Sequence, residues 1–237
     1  MQDIIEYTKK LHSSEQIQKK IEGLESISED RYKELHTSNI VPLNLTIDLY
    51  KFEKQITTYD GYFRPWGSSF ADQPRYGLPL VNQNGSIDDP NDPTAGSLTE
   101  WNSLHPDEMY IETDFQTPTE VLDLECFDPL RYTFDGHWTR SNILKWGAIA
   151  EFQPHIDNAV PAYWYRLWGT NKADSFDLSF YDETLNEFEK EENIESGRLY
   201  LIDTTKVHIA KGYANFVHQF FLSVKPSAYE TLKGLIA

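Results

Sequence analysis

Between Ile143 and Val224 the chain returns again and again to one kind of segment. The runs ILKWGAIAEFQ, AYWYRLWGT, DSFDLSFYD, GRLYLID and NFVHQFFLSV are apolar or alternating, and polar turns such as DNAVP and TNKAD separate them. Short runs rich in β-branched and aromatic residues, bounded by turn formers, read as strands. Several such strands at this spacing close into a sandwich or barrel of the jelly-roll kind. Six Trp, 14 Tyr and 13 Phe against two Met fit aromatic-rich sheets better than a helical bundle. At 237 residues there is room for one large β domain with helical additions, or for two small domains.

Upstream the character differs. Residues 1–37 read as helical, because Ile17, Ile21, Leu24 and Ile27 recur at three- and four-residue spacing with charges between them. Ser13 or Ser14 is placed to cap that stretch, and His12 and His36 within it read as surface residues. LNLTIDLYKF (43–52) alternates like a strand, and 61–82 reads as short strands joined by turns. The polar segment 82–97 is long enough for a lid or a mobile loop. Residues 115–134 give no clear pattern, and the acidic run 183–196 reads as an exposed excursion.

Composition excludes several functions. Lys and Arg total 21 against 38 Asp and Glu, a net charge of −17. Such a field repels phosphate backbones and anionic lipid heads, which argues against nucleic-acid and membrane partners. A single cysteine, Cys126, allows no intrachain disulfide and no thiolate cluster, and reads as a small core residue. No apolar run approaches the roughly 20 residues that span a bilayer, and the N-terminus lacks the order of a signal peptide. The expectation is a cytoplasmic protein acting on a small molecule or on a peptide or protein side chain.

The chemistry centres on EFQPHIDNAVP. His155 and Asp157 are two apart, and on an extended strand that spacing puts an imidazole and a carboxylate on one face. Alone the pair is half a metal site. His208, on a later strand 51 residues beyond Asp157, supplies a third ligand. Two His and one carboxylate on one face of a metal leave the other face open, as Fe(II) enzymes that admit a cosubstrate and O₂ require. Zinc accepts the same ligands. A non-catalytic β scaffold would leave these side chains apart.

The run ILKWGAIAEFQPHIDNAVPAYWYRLWGTN, followed by GRLYLIDTTKVHIAKGYANFVHQFFLSV, resembles the 2-oxoglutarate/Fe(II)-dependent oxygenases, in particular the aspartyl/asparaginyl β-hydroxylase-like branch. The likeness covers roughly residues 141–225: an apolar strand into Pro154-His155, then Arg166-Leu167-Trp168, then His208 ahead of Asn215 and a closing strand. It implies a mainly β fold, a cupin-like double-stranded β-helix over 41–237, with a helical extension over 1–40 packed outside. It also implies hydroxylation by Fe(II) and 2-oxoglutarate, with His155, Asp157 and His208 as iron ligands and no catalytic residue beyond the metal centre. Arg166, Trp168 and His218 then fall on the cosubstrate side, and Trp164 and Arg75 on the substrate side. Trp164, Arg166 and Trp168 share a strand face, and a guanidinium flanked by indoles suits a carboxylate of cosubstrate or substrate.

One position departs from the family. About ten residues after the distal His, where an Arg or Lys pairs with the far carboxylate of 2-oxoglutarate, stands His218. Either His218 substitutes, or Arg166 takes over, or the cosubstrate is different, as in a cupin-type metalloenzyme that does not use 2-oxoglutarate. His218 is also an alternative to His208 as the distal ligand. His137 is a further candidate for the pocket wall.

Overall fold

The structure is a computed structural model that describes residues 14–67, 74–157 and 162–237. His12, the start of the N-terminal helical stretch, part of the 61–82 segment and most of the DNAVP turn lie outside the described residues.

Among the described residues the N-terminal stretch forms two short helices, and Leu24 and Ile27 of the stripe lie between them. Ser14 accepts a hydrogen bond from the Ile17 amide to start α1 (Glu15–Ile21), and Ser28 caps α2 (Glu29–Leu35). Between them the chain turns at Gly23 with φ of 87°, a conformation glycine adopts without Cβ strain. β1 (Ile40–Thr46) takes the first half of the strand expected at 43–52. The second half is helical, because Asp48 caps Lys51 and opens α3 (Leu49–Ile56), which buries Phe52 and Ile56 four residues apart. β2 (Arg64–Pro65), β3 (Arg75–Asn82), α4 (Leu98–Leu104), β4 (Thr117–Pro118) and α5 (Asp128–Thr133) follow.

The eight strands after this define the architecture. They are β5 (Trp138–Trp146), β6 (Ala150–His155), β7 (Tyr165–Thr170), β8 (Phe176–Asp182), β9 (Glu187–Lys190), β10 (Arg198–Ile202), β11 (His208–Gly212) and β12 (Val217–Val224), before α6 (Tyr229–Leu235). Strand β5 pairs with β12, β6 with β11, β7 with β10 and β8 with β9, all antiparallel. Two sheets result, one ordered β1-β10-β7-β12-β5-β3-β2 and the other β6-β11-β8-β9. This pairing of first with last, second with next to last, is a jelly roll. Strand β9 lies inside the acidic run read as an excursion. At the sheet edge its EFEK sequence is mostly exposed, so no apolar alternation marks it.

Two cores flank the larger sheet. Trp146, Trp168, Phe176, Leu178 and Val217 pack between the sheets. Leu167, Phe220, Leu222 and Val224 face outward and are covered by helices through Tyr32, Phe52, Leu130 and Leu232. A sheet buried on both faces explains why β7 and β12 read as near-continuous apolar runs. Among the described residues no helix is long and apolar enough to cross a membrane.

The 93–97 segment is pressed onto β3 at Gly77, where an added Cβ would overlap the Ala95 carbonyl oxygen and crowd Trp66. Gly77→Ala is therefore expected to lower unfolding stability by about 1–3 kcal/mol, read from the midpoint of a urea titration with unchanged slope.

Candidate metal centre

His155 and His208 are directly opposed partners in the β6–β11 ladder. Facing residues in an antiparallel pair carry their side chains on the same side about 5 Å apart, and the two imidazole centroids stand 4.2 Å from each other. Asp157 follows two residues after His155, and its amide donates to the Thr204 carbonyl (3.0 Å), tying the end of β6 to the turn before β11. One ligand atom from each of His155, Asp157 and His208 lies within 4.8 Å of the others. The structure thus brings the three predicted ligands together, as a scaffold without a site would not require.

The donor set suits a metal. His155 Nδ1 is 2.8 Å from the Gln153 carbonyl and His208 Nδ1 is 3.0 Å from the Lys206 carbonyl. Each Nδ1–H donates to a backbone oxygen, which leaves the Nε2 of each ring for an ion, at His155 in place of the proton it holds toward Asp157 Oδ1 at 3.3 Å. His208 is pushed down to about 4, first by burial and then by the charge of His155, against the pull of Asp157. Its ring is therefore neutral and ready to ligate. Burial alone would raise the Asp157 carboxyl, but the hydrogen bond with His155 and the Arg166 charge outweigh it and hold it well below the usual range.

The trio borders a cavity of about 260 Å³ between the sheets. Trp164, Arg166 and Trp168 all line it, as their shared face predicts. Arg166 is buried, with Nε 3.5 Å from Asp157 Oδ2, Nη2 3.4 Å from Glu112, Nη1 on the Ser223 hydroxyl, and its guanidinium 3.5 Å from the centroid of Phe221. Arg75 lines the cavity from β3. Its guanidinium lies 3.8 Å from the centroid of Phe152, whose ring in turn packs edge-on against His155 at 4.1 Å. Burial pushes Arg75 down to about 9, with Asp157 opposing.

Two residues of this wall carry no sequence signal. Arg140 donates to the Thr94 and Gly96 carbonyls and pairs with Glu112 at 3.0 Å. Glu112 is thereby clamped between Arg140 and Arg166. No motif marks either; Glu112 sits in a segment without periodicity, and Arg140 on a strand otherwise read by its apolar residues. Gln219 also faces the cavity, with Oε1 accepting from Trp146 Nε1 at 3.2 Å.

His218 is corrected. It lies on the opposite face of β12, in the outer core, with its ring 5.2 Å from Phe52 and 5.9 Å from Phe63. It is neither near the metal trio nor in the cavity. Strand side chains alternate, so a one-residue difference puts Gln219, not His218, inside. His36 is corrected too: its ring stacks on Tyr32 at 3.8 Å and is half-buried. His137 reaches Ser227 instead of the cavity, and Cys126 is buried.

No family model matches the chain, and no curated protein does either. Among solved structures it is similar to a prolyl-4-hydroxylase from Pseudomonas putida (11% identity over 83% of this chain and 96% of that one, TM-score 0.44). It is also similar to a BsmA homologue from Methylobium petroleophilum PM1 (10% identity, 75% and 81%, TM-score 0.35). A recombinant oxalate oxidase in complex with glycolate matches at 11% identity and TM-score 0.29, over 44% of this chain. The chain spans about half the length of that oxidase (47%). Its own strand order makes it a cupin-like jelly roll, and the His-Asp-His group at the end of β6 and the start of β11 is able to hold a metal ion.

The misplacement of His218 has a measurable signature. Burial, with Lys145 and Lys172 adding to it and Asp60 opposing, lowers the ring to about 4, against about 6.5 in an unfolded chain. The unfolded state therefore takes up the proton first. The stability tied to a neutral His218 is complete above pH 6.5 or so and is lost as the pH falls toward 4. His218→Phe is expected to reduce the stability lost between pH 7.5 and pH 5 by about 2 kcal/mol, measured by urea unfolding at the two pH values.

Proposed function

We propose that this protein is an Fe(II)- and 2-oxoglutarate-dependent oxygenase that hydroxylates an amino-acid side chain or a related small molecule. The observation that carries the reading is the convergence of His155, Asp157 and His208 at a cavity whose other charged groups are Arg75, Arg140 and Arg166 against Glu112. Iron held by these three residues supplies oxygen activation for C–H hydroxylation. The likeness of Arg166-Leu167-Trp168 to the aspartyl/asparaginyl hydroxylase-like branch supports the same reading.

The chain's own residues do the remaining work. Backbone carbonyls of Gln153 and Lys206 fix the tautomer and ring orientation of the two imidazoles. With His218 turned away, the far carboxylate of the cosubstrate falls to Arg75, assisted by the Gln219 amide. Trp146 links the two, its ring 5.2 Å from the Arg75 guanidinium and its N–H on the Gln219 oxygen, which leaves the Gln219 NH₂ to donate. Trp164 and Trp168 wall the site from water.

A second reading rests on the same strand. Because β12 offers the cavity a neutral Gln219 in place of a cation, a cupin-type metalloenzyme that does not use 2-oxoglutarate is the alternative. Anaerobic Fe(II) titration with and without 2-oxoglutarate separates the two. The favoured reading expects a weak visible charge-transfer band only when both are present, and Asp157→Ala is expected to abolish iron retention. Iron binding without the band supports the second reading, and absence of iron binding would falsify both.

A further inference from the structure

The cavity has a half that the jelly roll does not build. Ile17 of α1, Leu98 of α4, and Met109 and Ile111 from the segment after it close this part of the cavity. The segment is latched to α1, since Lys20 pairs with Asp114 at 2.7 Å and the Ser14 hydroxyl reaches Met109 Sδ at 3.4 Å. Its polar groups are used internally: the Asn102 amide spends both ends on the Tyr110 backbone, at 2.8 Å each, and Ser97 caps Glu100. This half therefore offers a ligand apolar contact.

The charges of the wall are unequal. Arg75, Arg140 and Arg166 stand against Glu112 and Asp157, three against two. Neither carboxylate is spare, because Glu112 is held by Arg140, Arg166 and Ser223, and Asp157 faces His155 and Arg166. Two buried N–H groups of the wall, the indoles of Trp66 and Trp168, have no hydrogen-bond acceptor. A buried donor without an acceptor is costly and marks a place where a ligand oxygen fits. With a divalent ion the balance goes from one positive charge to three, and a dianionic cosubstrate brings it back to one. A monoanion then neutralises the site, while an ammonium would add an unpaired charge to a buried cavity.

We propose that the substrate is an apolar monocarboxylic acid without a positive charge, its alkyl group held by Ile17, Leu98, Met109 and Ile111 and its carboxylate by Arg166. The assignment of the reaction rests on the oxygenase reading; the binding preference does not need iron. The net negative charge of the chain belongs to its surface, whereas the cavity wall carries three Arg against two carboxylates.

The test is a titration of the metal-free protein with butanoate, hexanoate and octanoate, followed by tryptophan fluorescence and thermal midpoint, with hexylamine and hexan-1-ol as controls. Affinity is expected to rise roughly three- to fourfold per added methylene, with hexylamine giving no shift and hexan-1-ol binding about tenfold or more weakly than hexanoate. Ile17→Lys, on a helix outside the jelly roll, is expected to flatten the chain-length series, and Arg166→Met to erase the difference between hexanoate and hexan-1-ol. Affinity independent of chain length, hexylamine binding as well as hexanoate, or no alkanoate binding in the wild type overturns the proposal. If the alkanoate series behaves as stated but the iron and 2-oxoglutarate band never forms, the oxygenase reading fails and the apolar-acid site stands. If the band forms but no alkanoate preference is seen, the apolar-acid site fails and the oxygenase reading stands.

Discussion

The site depends on one cross-strand pair. His155 and His208 face each other in the β6–β11 ladder, and the Asp157 amide bonds the Thr204 carbonyl at the mouth of the same hairpin-like end. Register does the positioning: a slip of one residue in either strand would send an imidazole to the other face. That register is in turn held by the jelly roll. After a register shift between His208 and Ala210 the ladder resumes with Ala210 opposite Phe152 and Gly212 opposite Ala150, and β8 pins the other edge of β11 from His208 to Gly212. The two imidazoles are thus carried by ladder hydrogen bonds and inter-sheet packing, while Asp157, just beyond β6, is held by its bond to Thr204.

Around this pair the cations are divided by task. Arg140 is structural, since its donors go to the Thr94 and Gly96 carbonyls and to Glu112. It fastens the 93–97 segment and the Glu112 turn to β5. Glu112 then orients Arg166 from the far side while Asp157 faces it from the near side. Removing one member of such a buried group leaves a charge uncompensated, so Glu112 and Arg140 are part of what keeps Arg166 in place. Arg75 is held differently, by the faces of Phe152, Trp66 and Trp146, an arrangement in which ring quadrupoles attract the cation.

Much of this was legible in the sequence, and the parts that were not share a cause. Residue patterns located β7, β8, β10 and β12 and took β5 and β6 as one run, because buried sheets leave long apolar runs; β11 was marked only by His208, and β9 was missed. The H-x-D pair and His208 were readable because two-residue spacing and a strand have the same period. Trp164, Arg166 and Trp168 were placed on one face by the same rule. The rule fails where a sheet is covered on both faces. In VHQFFLSV nearly every residue is buried, so nothing in the pattern says which parity points inward, and His218 and Gln219 exchange roles. Arg140 and Glu112 were missed for another reason: their partners are backbone carbonyls and each other, 28 residues apart, and no local spacing encodes such a pairing.

That parity has a chemical consequence. A basic residue on the inward face of β12 would put its charge on the strand that closes the jelly roll. Here that face carries Gln219, and a neutral amide can orient a carboxylate but cannot balance it. The compensating charge comes from β3, across β5, where Arg75 is level with Trp146 while Val217 of β12 is level with the same Trp146 from the other side. Arg75 thus stands two strands along the sheet from Gln219 and two residues off its row, since Gln219 is level with Leu144 and Leu144 with Gly77. Because Arg75 belongs to a strand outside the eight-strand core, the electrostatics of the cavity depend on how the upstream region packs on β5. The segments upstream of the eight strands, 74–82 and 93–114, therefore supply Arg75 and Glu112, much of the charge that lines the candidate site.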